Sequence, residues 1–310
     1  MMRKKLEFRF YDMPRDNPVL ALYGEKWKMV YGDDDETLHF HNVLEIGLCR
    51  EGQGEMIYEN ETRPYGPDMI SIIPGGGMPH CTYSRDRSKS WWEYVFIDVH
   101  QYLHKAYPEN VRFGSALEAH INSRYLLEKR EDNEELWNLT DGIIKEEKGV
   151  EPYAKEIVNQ KVIELLLLLA RKNRSFDHSQ DEETRTRGNQ IHKGIVYIEK
   201  NYAEKFSIGD IASEIGMSET HFRRLFNETM RMPPSSYVNM IRIQHACRML
   251  AETDLPVELI AEKAGYASVS TFNRNFKEFM GETPLKWKYS DRNSPNLRRG
   301  MQIKAYKGWN

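Results

Sequence analysis

The sequence predicts an α+β protein of two domains: an N-terminal β-barrel with a helical appendage, then an all-α domain with two helix-turn-helix units. Three observations predict it. Residues 38–98 show short apolar alternations broken by Gly and Pro, which are typical of strands and tight turns. Residues 115–171 carry apolar side chains at helical spacing. A helical pattern that begins at Ile211 returns from Ile260, and a repeated pattern indicates a repeated structure.

The predicted barrel contains four polar residues that form a candidate site. His39, His41 and Glu45 are separated by even steps along one strand and so share a face, while His80 follows a Pro/Gly turn. With Gly52, their spacing is similar to the first motif of the cupin fold. In metal-binding cupins these positions hold the metal. Three interpretations stay open: a transition-metal site, hydrogen bonding to a polar effector, and strand packing.

An aromatic stretch, SWWEYVFIDVHQYL from Ser90, forms the second candidate part of this site. Sugars stack on aromatic rings, and we select Trp92 and Tyr94 as effector-binding candidates. The alternative is that these rings only close the barrel. Alternation puts residues 92, 94 and 96 on one face of the strand, but the sequence does not show whether that face lines the interior.

The helical appendage ends in the apolar run VIELLLLLA from Val162. A helix that is apolar around so much of its circumference needs more than one neighbour. The segment 113–172 is therefore a candidate for homodimerisation, and packing within one chain is the alternative. The run is too short to span a bilayer. Residues 173–186 are polar and predict a linker.

Each copy of the repeat predicts a helix, a tight turn and a second helix. The residues that recur 49 positions later are Ile211, Ala212 and Gly216, and those that recur 50 positions later are Phe222, Phe226, Met230 and Pro234. The glycine ends the first helix, and Ser218 is a good N-cap for the second. Two helices joined by so short a turn form a helix-turn-helix.

The segment between the copies predicts one continuous helix, with apolar residues at helical spacing: Tyr237, Met240, Ile243, Cys247 and Leu250. Such a connector fixes the distance between the two helix-turn-helix units, which we call the reading heads. Successive major-groove openings on one face of DNA lie about 34 Å apart, so one chain could read two of them.

The opposite face of each second helix predicts DNA binding. The candidate contacts are Glu219, Thr220, Arg223, Arg224 and Asn227 in the first copy, and Ser270, Thr271, Asn273, Arg274 and Lys277 in the second. Their side chains can bind base edges and phosphates. A solvated helix face is the alternative for one copy alone, and the repetition favours DNA. We expect the strongest contacts from Arg223, Arg224, Asn273 and Arg274.

Residues 187–290 resemble the DNA-binding domain of AraC/XylS-type transcriptional regulators. The resemblance lies in IASEIGMSETHFRRLF, in the PSSYVNMIRIQHACRMLAETDLPVELIAEKAGY run, and in FNRNFKEFMGETPLKW. It implies an effector-responsive regulator, commonly an activator, that dimerises and can contact RNA polymerase. Pro256 departs from the family, which usually has a small capping residue there, but proline suits a helix's first turn.

Charge separates the two halves. Residues 184–310 carry 20 Lys/Arg against 13 Asp/Glu, a net of +7, and residues 1–183 carry a net of −10. The basic half contains the repeats, and an excess of positive charge favours binding to DNA phosphates. The start of the chain lacks the apolar region of a signal peptide, and Cys49, Cys81 and Cys247 form no paired pattern. We therefore expect a cytoplasmic protein with reduced thiols.

Together these patterns predict an effector-responsive transcriptional regulator that is not an enzyme and needs no cofactor. The predicted domains are an effector-sensing cupin-like domain (1–112), the helical segment (113–172), the linker (173–186), the DNA-binding domain (187–290) and a polar tail (291–310) without secondary structure. The rival hypotheses are a metal-dependent cupin enzyme with a DNA-binding appendage, and a DNA-architectural protein that senses nothing.

Overall fold

The computed structural model describes residues 6–13, 18–32, 38–58, 61–75, 79–177, 182–230, 232–290 and 302–309. The chain divides into two compact units. Residues 13–180 form a β-rich unit with helices, and residues 1–12 and 181–310 form a mainly helical unit. No helix in the described ranges is both long enough and apolar enough to cross a membrane.

The strands are β1 (Leu6–Asp12), β2 (Val19–Leu22), β3 (Lys28–Met29), β4 (Leu38–His41), β5 (Leu44–Glu51), β6 (Gly54–Tyr58), β7 (Glu61–Tyr65), β8 (Met69–Ile73), β9 (His80–Ser84), β10 (Ser90–Ile97), β11 (Leu126–Lys129) and β12 (Gln302–Trp309). The helices are α1 (Val99–Ala106), α2 (Val111–Ile121), α3 (Glu134–Lys148), α4 (Ala154–Asp177), α5 (Glu182–Asn201), α6 (Ile208–Glu214), α7 (Glu219–Met230), α8 (Pro234–Glu252), α9 (Val257–Lys263), α10 (Val269–Met280) and α11 (Pro284–Ser290).

The β-rich unit contains two antiparallel layers. Strands β4, β9, β6 and β7 are neighbours in that order in one layer, and β11, β8, β5, β10 and β2 form the other. The layers face each other, because the ring centroids of His41 in β4 and Phe96 in β10 lie 5.9 Å apart and those of Tyr65 and Trp92 lie 5.0 Å apart. The structure therefore agrees with the predicted antiparallel barrel or sandwich.

The outer face of the second layer packs against the helical appendage. Alternate apolar residues of β5 and β10 point this way, including Ile46, Leu48 and Val95, and they join a buried cluster with α1–α4. Alternation then turns the residues between them toward the opposite layer. Burial of this apolar face is the main force that holds the helices to the sheet.

The C-terminal unit contains both predicted helix-turn-helix units. The connector α8 is one continuous helix, as predicted, and Pro234 occupies its first turn, where proline needs no backbone donor. At 19 residues it is about 28 Å long. All five residues that predicted it are buried: Tyr237, Met240, Ile243, Cys247 and Leu250.

Two expectations about secondary structure were wrong. Residues 302–309 form a strand that pairs antiparallel with β1, from Leu6 opposite Trp309 to Asp12 opposite Gln302. This pairing joins two segments from opposite ends of the chain, so no local pattern in the sequence indicates it. The predicted linker is also largely helical, because α4 continues to Asp177 and α5 begins at Glu182. Residues 178–181 and 291–301 lie outside the described residues.

Candidate nucleic-acid interface and sensor site

The first reading head, α6 and α7, is built from local signals in its sequence. Ser207 and Asp210 form a reciprocal capping box at the start of α6. Gly216 adopts a φ of +72° in the turn, a conformation that favours glycine. Ser218 Oγ then accepts a hydrogen bond from the His221 amide at the start of α7. Each predicted turn and cap of this head is therefore present.

The second head, α9 and α10, follows the same plan with different support. Its turn glycine, Gly265, has a φ of +81° and Ser268 caps α10 by accepting from the Thr271 amide. Helix α9 instead has Pro256 at its N-cap position, where proline provides no side-chain hydrogen bond. A methyl group on Gly265 would lie 2.5 Å from the Tyr202 carbonyl oxygen. The second turn is thus closely packed, whereas space around Gly216 is open.

The connector helix holds the two heads together through aromatic packing. Phe226 of the first head packs on Tyr237 of α8, with ring centroids 5.3 Å apart. The Arg242 guanidinium of α8 lies over the rings of Phe206 and Tyr266, one near each head. Its Nε also donates to the Tyr202 carbonyl oxygen at 2.8 Å. These contacts fix the orientation of one head relative to the other.

The predicted DNA-contacting residues all lie on exposed positions of α7 and α10: Glu219, Thr220, Arg223, Arg224 and Asn227, and Ser270, Thr271, Asn273, Arg274 and Lys277. The paired phenylalanines of each helix are buried on the opposite side. Arg224 and Arg274 occupy equivalent positions, and neither guanidinium has a hydrogen bond or ion pair within the described part of the chain. They are available to bases or phosphates.

The four polar residues of the β-rich unit come together between the layers, and we call them the Glu45 cluster: His39, His41, Glu45 and His80. His39 and His80 are paired across β4 and β9. The Glu45 Oε2 atom lies 3.0 Å from His41 Nε2 and 3.9 Å from His80 Nε2. All four side chains are buried. A carboxylate is costly to bury without hydrogen bonds, and His41 Nε2 lies within hydrogen-bond distance of Glu45.

This cluster also lies close to two phenols. Burial raises the pKa of Tyr58 well above its usual value, and the Glu45 carboxylate raises it further. Burial likewise raises the pKa of Tyr94, with added contributions from Tyr31 and Glu45. Both phenols therefore stay protonated, and Glu45 occupies a site lined by potential hydrogen-bond donors.

The structure shows which aromatic residues of β10 face the interior. Trp92, Tyr94 and Phe96 form a ladder on the inner face, with successive ring centroids 6.0 and 6.1 Å apart. An added methyl group on Gly47, beside them, would lie 2.6 Å from Ser71 Oγ. Ser71 Oγ and Trp92 Nε1 are buried without a hydrogen-bond partner among the described residues. Such atoms normally have partners.

Part of the Glu45 cluster has the donor atoms of a metal site. One ligand atom each from His39, Glu45 and His80 lie within 4.8 Å of one another. Two imidazoles and a carboxylate suit a divalent transition metal. The residues fit such an ion.

Comparisons with known proteins agree on the helical unit. A family model described as a helix-turn-helix domain matches residues 211–289. The HTH-type transcriptional activator AarP of Providencia stuartii is 32% identical over 110 residues, covering 36% of this chain and 82% of AarP. The chain belongs to the AraC/XylS family of transcriptional regulators. Its C-terminal unit therefore contains an AraC-type, DNA-binding helix-turn-helix domain, which confirms the resemblance seen in the sequence.

Two further relatives of this AraC-family chain show the limits of the match. An uncharacterized HTH-type transcriptional regulator of Staphylococcus aureus is 30% identical over 130 residues, which cover 42% of this chain but 17% of that protein. A solved AraC-type DNA-binding regulator of Chromobacterium violaceum is 25% identical and covers 35% of this chain and 96% of its own, with a TM-score of 0.33.

The inner face of the β-rich unit also includes residues that were not predicted from the sequence. Phe96 follows from the alternation that selected Trp92 and Tyr94. Tyr58 and Ser71 had no comparable signal, because the pairings that bring their strands to the Glu45 cluster connect distant parts of the chain.

Proposed function

We propose that this AraC-family regulator responds to a small polar metabolite, with a sugar as the leading class, bound between the layers of its cupin-like β-rich unit. The proposal is supported by the combination of side chains on the inner face of this unit. It combines the Glu45 carboxylate, three imidazoles and a ladder of three aromatic rings. A purely structural core has no need of so many polar groups, which are costly to bury.

A sugar matches this combination of groups. Its apolar ring faces can stack on Trp92 and Tyr94, and its hydroxyls can both donate to Glu45 and accept from the imidazoles. It would also give partners to Trp92 Nε1 and Ser71 Oγ. The remaining predicted effector contacts are His39, His41 and His80.

We propose further that the C-terminal unit reads two successive major-groove segments and that the effector changes this activity. A ligand can do so only by binding two conformations of the protein unequally. The family commonly activates, so the proposal includes activation and a contact with RNA polymerase. The names of the relatives support regulation rather than catalysis, and the proposal includes no enzymatic activity.

The first experiment is a thermal-shift screen of the full chain against mono- and oligosaccharides and other polar metabolites. A ligand of the native state should raise the melting temperature in a dose-dependent way. The shift should be lost in Glu45→Gln and kept in Glu55→Gln, which makes the same change at an exposed position. An equal shift in both variants would contradict binding at the Glu45 cluster.

A second candidate is that the cluster binds a transition metal ion, which the positions of His39, Glu45 and His80 favour. Elemental analysis of protein purified without chelators separates the two. A near-stoichiometric metal content in the wild type that is lost in His80→Ala would support the metal site and contradict the sugar proposal. Such a result, with turnover of a substrate, would support the rival enzyme.

We also propose that the protein forms a homodimer through residues 113–172. Apolar side chains are exposed around the start of α4, namely Val150, Tyr153 and Ile157. By contrast Leu166 is fully buried within its own unit. Sedimentation of Ile157→Glu should then show a folded monomer, and Gln160→Glu, also exposed on α4, should remain dimeric. A dimer in both variants would place the interface elsewhere.

A further inference from the structure

The first reading head contains an ion pair that the second head lacks. Glu219 Oε1 accepts a hydrogen bond from Arg223 Nε at 2.7 Å, and a terminal nitrogen of Arg223 lies 2.6 Å from the same oxygen. The equivalent residues of the second head, 50 positions later, are Val269 and Asn273. Neither the carboxylate nor the guanidinium is therefore repeated.

This pair restrains Arg223 on the exposed face of α7. Glu219 follows Ser218, the residue that caps α7, and so lies in the helix's first turn, where a negative charge is favoured. Its second oxygen lies close to the first turn of α6, because a methyl group on Gly209 would be 3.0 Å from it. The carboxylate thus lies against the first turn of α6, and its other oxygen pairs with the Arg223 guanidinium.

A restrained guanidinium suits one base in particular. Glu219 accepts from the Arg223 Nε–H group and from one N–H group of a terminal nitrogen. Each terminal nitrogen still has at least one N–H group that points away from the carboxylate. Arginine uses such a pair of donors to bind O6 and N7 of guanine. Asparagine, which replaces it at 273, is matched instead to N6 and N7 of adenine.

We propose that Glu219 is a positioning residue for Arg223, which selects guanine in the half-site read by α7, while Asn273 selects adenine in the half-site read by α10. The proposal rests on the proposed reading of two groove segments by one chain. The two half-sites then differ at equivalent positions about one helical turn, or 10–10.5 base pairs, apart. Arg224 and Arg274 occupy equivalent positions, so Arg224 contributes to the first half-site as Arg274 does to the second.

The positioning role predicts effects of opposite sign. Glu219→Gln weakens the hold on Arg223, so the preference for guanine should fall about threefold, against about tenfold for Arg223→Ala. The same substitution removes a negative charge near the phosphates, so binding to DNA of unrelated sequence should become stronger. A substitution that merely damaged the fold would weaken both kinds of binding.

The experiment selects binding sites for the full chain from random duplex DNA, then measures affinities for the selected duplex and its single-base variants. The proteins are wild type, Glu219→Gln, Arg223→Ala, Asn273→Ala and the double variant of Glu219 and Arg223. Glu214→Gln, exposed at the end of α6, is the matched control and should behave as wild type.

The expected result is a guanine whose selection is lost in Arg223→Ala and reduced in Glu219→Gln, with no additional loss in the double variant. An adenine selected through Asn273 should lie about one turn away. A selected site that Arg223→Ala leaves unchanged would overturn the inference. An altered base preference in the double variant relative to Arg223→Ala would show that Glu219 contacts a base itself and would also overturn it. No selected sequence for the wild type would instead refute the proposed reading of DNA.

Discussion

The two reading heads share a plan but not a source of stability. The first begins with a capping box and turns at Gly216 in open space, so its signals are local. The second begins at Pro256 without a side-chain cap, and its turn at Gly265 packs against the carbonyl oxygens of Tyr202 and Ala203. Duplicated motifs can therefore keep their shape while one copy depends on hydrogen bonds within itself and the other on packing against its surroundings.

The largest expected difference concerns the turn glycines. Gly265→Ala should lower the free energy of unfolding by about 3 kcal/mol, because the methyl group meets backbone atoms in addition to the cost of a left-handed conformation. Gly216→Ala should lower it by about 1 kcal/mol, because only the conformational cost applies. Denaturant unfolding of the full chain measures both. Equal losses would show that the second turn is no more dependent on packing than the first.

An intermediate effect is expected from the equivalent arginines on DNA. Arg224→Ala and Arg274→Ala should each weaken binding to a selected site about tenfold, since both guanidinium groups are exposed and free to contact DNA. Fluorescence anisotropy at several salt concentrations gives the affinity and its salt slope. A loss that is uniform over all sequences, with a salt slope smaller by about one, would identify a phosphate contact rather than a base contact.

The smallest expected effect concerns the helix starts. Ser207→Ala removes the first head's cap and should cost about 1 kcal/mol of stability. Pro256→Ala removes no side-chain cap and should cost less. Thermal unfolding of the two variants compares them, and a larger loss for Pro256→Ala would reverse the distinction between local and tertiary support.

The capping box also has a defined pH dependence. Hydrogen bonds from the Ser207 amide and hydroxyl lower the pKa of Asp210. A carboxyl with a lowered pKa stabilises the folded state above its unfolded pKa, about 3.9, and this contribution is lost as the pH falls through the folded value. The difference between wild type and Ser207→Ala should accordingly narrow below about pH 3.9.

The contrast between local and distant contacts also explains what the sequence could predict. Both heads and the connector were predicted because glycine turns, caps and the spacing of residues such as Phe222 and Phe272 are visible within short windows. The inner position of Trp92 could not be predicted, because it depends on the pairing of β5, β8 and β10. Strand β12 was missed for the same reason, since its partner lies about 300 residues away at the start of the chain. The Glu219–Arg223 pair was visible in its spacing of four residues, but its absence from the second head gained meaning only when the two heads were compared.

The connector holds two unlike heads together, and we propose that their fixed separation lets one chain read two groove segments. The most direct test measures the affinity of the full chain for a selected DNA site before and after five base pairs are inserted between its two halves. The insertion turns one half to the opposite face of the duplex. We expect the affinity to fall to that of a duplex that carries one half-site alone. Unchanged affinity would contradict it and would show that the heads bind independently or that only one of them reads sequence.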